Sequence, residues 1–182
     1  MIFRLFRKNK VSQAIMVRQY GILTTVARTP AFFETMNVPD TVMGRFEMLS
    51  VALILYFRRT SSAGDEVKAI AQDVVEAFFE DLDHSMRELG IGDNGVPKRM
   101  KKLAGMFYGR LDSYARAMEN TDEIALEAAL RRNIHPENAD GTLSMHRLAH
   151  YMLKAEEELK NVPESILRSG EAHLAEVEQE EA

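Results

Sequence analysis

The chain has 182 residues, 46% of them apolar, with five prolines, no tryptophan and no cysteine. That length favours one domain with a real core, and the missing cysteine excludes disulfides, thiolate metal sites and thiol nucleophiles. The net charge of −5 is unevenly spread: no acid precedes Glu34, where Arg4, Arg7, Lys8, Lys10, Arg18 and Arg28 give +6, whereas Ala155 to Ala182 carries nine glutamates against Lys160 and Arg168. Such polarity suits a protein whose positive end meets an anionic surface.

Residues 1–10 read as a short basic arm in which Phe3 and Phe6 interleave with Arg4, Arg7, Lys8 and Lys10. Bulky apolar groups beside cations are the pattern of an interfacial membrane anchor, while the segment lacks the apolar run of a secretory signal. The rest, 11–182, is expected to form one all-α domain of roughly seven helices. Val11 to Arg28 is the first, and Pro30 opens a short helical piece through Phe33. Asn37-Val38-Pro39 breaks the chain, and Asp40 is placed to cap the helix from Thr41 to Arg59. That helix is apolar over more than one stripe and is expected at the domain centre; its run from Met48 to Phe57 is too short to cross a bilayer.

A helix from Asp65 to Leu89 is expected to bury Val67, Ile70, Ala71, Val74, Phe78, Leu82 and Leu89, and its eight acids against Lys68 and Arg87 make the outer face acidic. Gly90 suits a left-handed C-terminal cap, and Gly92-Asp93-Asn94-Gly95 is a turn. The following helix, Lys98 to Met118, is basic: six cations against Asp112. Three more helices are expected at 122–133, 144–160 and 163–178.

At 100° per residue, Met100, Leu103, Phe107, Leu111, Tyr114 and Met118 fall on one side of the basic helix. Gly105 and Gly109 fall almost opposite, in line with Lys98, Lys102 and Arg116. A mid-helix glycine costs about 1 kcal/mol against alanine, so two on one face call for a reason. Close approach of another backbone is one; that backbone belongs to a client, to a second protein or to another helix of this domain.

No catalytic constellation emerges. Asp81 and Asp83 point to different sides of a helix, and no glycine-rich phosphate loop follows a strand. His146 and His150 have metal-capable i,i+4 spacing but no carboxylate nearby in sequence, so no metal site and no cofactor is assigned. Net charge and the absence of a nucleic-acid-binding motif argue against nucleic acid as the main partner. Eleven methionines read first as core filler and second as an adaptable apolar surface.

Three segments resemble the ubiquinol–cytochrome c chaperone family of bc1 complex assembly factors. They are RTPAFF at 28–33 with VPDTVMGRF at 38–46, DLDHSMRELGIGD at 81–93, and VPKRMKKLAGMFYGR at 96–110. The resemblance implies a helical, non-enzymatic chaperone. Its partners would be newly made cytochrome b or another bc1 subunit, and a small partner protein in some members. Without an Arg/Ser-rich transit peptide the chain looks like a bacterial relative, expected at the cytoplasmic face of the inner membrane in contact with anionic lipid. A helical carrier of an apolar ligand or lipid is the alternative. Candidate partner contacts are Pro39, Asp40, Gly44, Arg45 and Phe46 at one turn. A second group is Asp83, Arg87, Gly90, Gly92, Asp93, Lys98, Arg99, Lys101, Lys102, Gly105, Tyr108, Gly109 and Arg110. In both groups the glycines, Pro39 and Phe46 also have purely structural readings.

Overall fold

A computed structural model describes residues 10–138 and 141–177. The expected arm falls outside these, apart from the backbone of Lys10, so Phe3, Arg4, Phe6, Arg7, Lys8 and the Lys10 side chain lie outside the described residues. Every regular element among the described residues is helical. In order they are α1 (Lys10–Val26), α2 (Pro30–Glu34), α3 (Val42–Thr60), α4 (Asp65–Glu88), α5 (Val96–Glu119), α6 (Glu123–Ile134), a 3₁₀ turn at Pro136–Asn138, α7 (His146–Lys160) and α8 (Glu164–Ser169). The expected all-α single domain is what forms.

Helix α3 sits at the centre. Leu53, Ile54, Leu55 and Tyr56 are consecutive and all fully buried; four successive positions cover every side of a helix, so α3 must be surrounded. It packs against α1, α4, α5 and α7. Its start corrects the expected cap. Thr41, not Asp40, is the N-cap, its hydroxyl accepting from the Gly44 N–H at 3.1 Å. Asp40 instead accepts from Arg45 Nε at 2.8 Å. Gly44 cannot carry a side chain here, because a Cβ would fall 1.8 Å from the Pro39 carbonyl oxygen.

An aromatic cluster joins α3, α4 and α5. Phe78 stacks on Phe46 at 6.1 Å and meets Phe107 at 5.3 Å, while Phe57 and Phe79 approach Phe107 edge-on at 6.3 and 5.9 Å. Each buried ring contributes on the order of 2–3 kcal/mol by area alone, and the edge-on geometry adds to it. This cluster fixes α5 against the domain and so decides which of its faces looks outward.

The last expected helix, 163–178, is much shorter than its pattern suggested. Gly170 adopts φ 71°, a left-handed stop, with its α-carbon so close to α1 that a Cβ would lie 2.4 Å from the Ile15 carbonyl oxygen. Over residues 171–177 the chain runs irregularly and buries Ala172, Leu174 and Ala175. Gln19, itself fully buried, takes the place of a neighbouring peptide for this segment. Its Nε2 donates to the Ala172 carbonyl at 2.8 Å and its Oε1 accepts from the Ala172 N–H at 3.1 Å.

Candidate docking surface

The site is built from the hairpin of α4 and α5. Gly90, at φ 78°, ends α4 as expected. Its N–H bonds the Arg87 carbonyl at 2.9 Å and the Ile91 N–H bonds the Met86 carbonyl at 3.1 Å, the two bonds of a Schellman closure. Arg87 then staples helix to turn: Nε donates to Asp83 at 2.6 Å and Nη1 to Asp93 at 2.5 Å. The bond from Arg87 holds the Asp83 carboxyl below the ordinary carboxylate range. Asp83, Arg87 and Asp93 thus answer one another's charge. Gly92 leads into the turn that Val96 and Pro97 convert into the first turn of α5.

Along α5 the two faces part company. Phe107, Tyr114 and Met118 are buried, while Lys98, Arg99, Lys101, Lys102, Gly105, Tyr108 and Gly109 are exposed. A Cβ built on Gly105 or Gly109 meets nothing within 4 Å. No described helix covers the glycine face, which argues against the internal-packing reading. Tyr108 is 54% exposed, its ring leaning on Phe79 at 6.3 Å and on Phe107 at 5.5 Å. An aromatic ring with one face wet and one packed is a common anchor for a partner.

Arg110 departs from the expected surface role. It is 5% exposed and its Nε and Nη2 both donate to the carboxylate of Glu47 on α3, a bidentate pair. Nη1 donates to the Met106 carbonyl at 2.9 Å, and the guanidinium lies 5.8 Å over the Phe46 ring. Burial pushes the Glu47 carboxyl up despite the opposing pull of Arg110. Arg110 therefore joins α3 to α5 from inside. Phe46 and Gly44 are buried with it, whereas Asp40 and Arg45 remain an exposed ion pair at the α3 turn. Beside that pair Val42 and Met43 are exposed, at 70% and 43%.

Two placements were invisible in the sequence. Glu47 sits inside an apolar helix with nothing local to mark its partner, which lies 63 positions away. Glu123 of α6 brings a carboxylate to the histidine pair of α7, with Oε1 3.4 Å from Nδ1 of both His146 and His150. Among the described residues no set of three or more such groups is arranged to hold a metal ion.

Comparison with known proteins agrees with this architecture. The chain superposes on a solved structure described as the Cbp3 homolog from Brucella abortus, with 42% identity, a TM-score of 0.84 and 97% of each chain covered. Residues 34–175 match the family described as ubiquinol–cytochrome C chaperone. The chain belongs to the ubiquinol–cytochrome c chaperone family. Within it, the chain is also 26% identical over 141 residues to the Xenopus laevis ubiquinol-cytochrome-c reductase complex assembly factor 1, covering 77% of this chain and 70% of that protein. The family match takes in α3 to α8 and hence the whole α4–α5 hairpin. It reaches well past Met118, where the motif resemblance weakens.

Proposed function

We infer that this protein is an assembly chaperone of the cytochrome bc1 complex, and that it holds newly made cytochrome b on the outer face of α5. Family membership carries the chaperone role, as does the likeness to a bc1 assembly factor. The docking face rests on one observation: an uncovered glycine track flanked by cations that have no partner among the described residues. Lys98, Arg99, Lys101 and Lys102 make no ion pair or side-chain hydrogen bond there, although most arginines of the domain do. A protein 28% charged that leaves such a face open keeps it for something else. Glycines let a client helix approach backbone to backbone, and Tyr108 supplies an amphipathic ring beside them. No catalytic group is needed for this work.

No described helix is long and apolar enough to cross a membrane. The acid-free, basic run of residues before Glu34 supports a reading of peripheral contact with an anionic leaflet, taken here as the cytoplasmic face of a bacterial inner membrane. Neither the family nor the relatives support the carrier alternative.

The test is an affinity pull-down of the tagged protein from its native membranes. Cytochrome b should be recovered with the wild type and lost when Lys98, Lys101 and Lys102 are all replaced by glutamate. Equal recovery with the triple variant would remove α5 from the docking surface.

A further inference from the structure

A groove of about 260 Å³ opens where the end of α3 meets α4 and α5. Phe57 and Phe107 line it with Ala71, Val75, Leu111 and Tyr108. The helical turn of α5 sets Tyr108 and Lys101 between this groove and the glycines, so Tyr108 is the ridge dividing the two. One cation, Lys68, lies on the groove's rim; it is the only basic residue of α4 before Arg87, on a helix whose outer face is otherwise acidic. Lys68 has no ion-pair partner among the described residues.

Resting on the chaperone reading above, we propose that this groove seats one bulky apolar side chain of the client. The seated segment is a helix lying on the glycine track, with a carboxylate about one turn from its apolar anchor to meet Lys68 or Lys101. The charge pattern selects this occupant. Five cations bordering the surface, Lys68, Lys98, Arg99, Lys101 and Lys102, lack partners among the described residues, so an acidic segment is complementary and a basic one is repelled. A purely phosphate-bearing partner would leave the aromatic wall of Phe57, Phe107 and Tyr108 unused. An anchor filling an aromatic pocket is the usual centre of binding energy at such interfaces.

The experiment uses the full chain and soluble helical peptides carrying a fluorophore, read by anisotropy. The first peptide has a phenylalanine anchor with a glutamate one turn away. Its twins replace the glutamate by glutamine, the glutamate by lysine, or the phenylalanine by alanine. The first peptide should bind, and the alanine and glutamine twins should each bind about tenfold more weakly, as removal of an anchor or a desolvated charge pair does. Gln72→Trp, which crowds the groove from an exposed position, and Tyr108→Ala, which removes its ridge at an exposed position, should each lower affinity similarly while thermal melting stays nearly unchanged. The lysine twin should bind poorly to wild type and recover on Lys68→Glu. Equal binding of all four peptides to wild type overturns the proposal. So does binding untouched by Tyr108→Ala, or peptide binding absent while phosphatidylglycerol vesicles bind. In cells, loss of bc1 complex in the deletion strain with full rescue by both groove variants would sink the groove and leave the chaperone role standing. Normal bc1 content in the deletion strain would sink the role itself.

Discussion

Arg110 and Lys102 lie about two turns apart on α5, yet their circumstances are opposite. The guanidinium of Arg110 is closed inside the domain on Glu47, with the Met106 carbonyl and the Phe46 ring beside it. Lys102 stands in solvent with no partner among the described residues. The same contrast runs through the molecule. Arg58 holds Glu156 at 2.5 Å, Arg59 caps the Leu159 and Val162 carbonyls, and Arg131 holds Glu127 at 2.7 Å. These cations are committed to the fold, whereas those at the start of α5 are left over from it. A count of charge along a helix merges the two kinds; only the side on which each residue falls separates them.

Substitutions on each side should respond accordingly. Arg110→Ala leaves the Glu47 carboxyl buried without its partner, and should lower stability by about 3–5 kcal/mol in urea unfolding. The double variant Glu47→Leu, Arg110→Met should recover most of that loss, since the desolvation of both charges goes with them. A double variant no better than Arg110→Ala would mean that the pair acts as more than mutual compensation. Gly44→Ala should cost about 2–3 kcal/mol, because the Pro39 carbonyl has no room to retreat from a Cβ.

On the outer face the sign reverses. Gly105→Ala and Gly109→Ala meet open space and should each raise stability by roughly 0.5–1 kcal/mol, read as a higher midpoint in urea. Leucine at both positions should keep the fold and abolish recovery of cytochrome b. Unfolding of that double variant would show the face to be covered after all.

The smallest effect concerns acid. Burial works against the charged form of Glu127, but bonds from the Met145 N–H, the Ser144 hydroxyl and Arg131 outweigh it and hold the carboxyl below its usual value. A depressed carboxyl stabilises the fold above the unfolded-state glutamate range, and that contribution fades as pH falls through the depressed folded value. Melting temperature should therefore drop on the acid side of the glutamate range. Glu127→Gln should flatten that drop slightly while leaving the neutral-pH side nearly level.

Much of the fold was legible because helical periodicity and punctuation agree. Pro30, the turn before Thr41, Gly90 and Pro97 each mark a boundary close to where the chain observes it. The central place of α3 followed from its all-round apolarity. The α5 glycine face could be drawn on a helical wheel, but its openness needed the packing of every other helix. Three features were hidden for one shared reason, that each depends on a residue distant in sequence. Arg110 reads as a surface cation until Glu47 is found opposite. His146 and His150 read as a plain polar pair until Glu123 arrives from α6. The segment after Gly170 continues a helical pattern of Leu174 and Val177, yet close contact with Ile15 stops the helix there. The Asp40–Thr41 choice is different: either side chain can cap, and the pull of Arg45 on Asp40 decides it.

The bond between Gln19 and Ala172 has a consequence in time. It joins positions 153 apart, so α1 emerges from the ribosome long before the backbone that satisfies its buried amide. Synthesis proceeds at roughly 5–20 residues per second, which leaves the inner side of α1 without its final cover for several seconds or more. During that interval the amide of Gln19 must find water or stay out of the core, and contacts this remote in sequence are the slow ones to form. The first helix of the chaperone is thus the last to be sealed, and the protein becomes competent only after nearly all of it has been made.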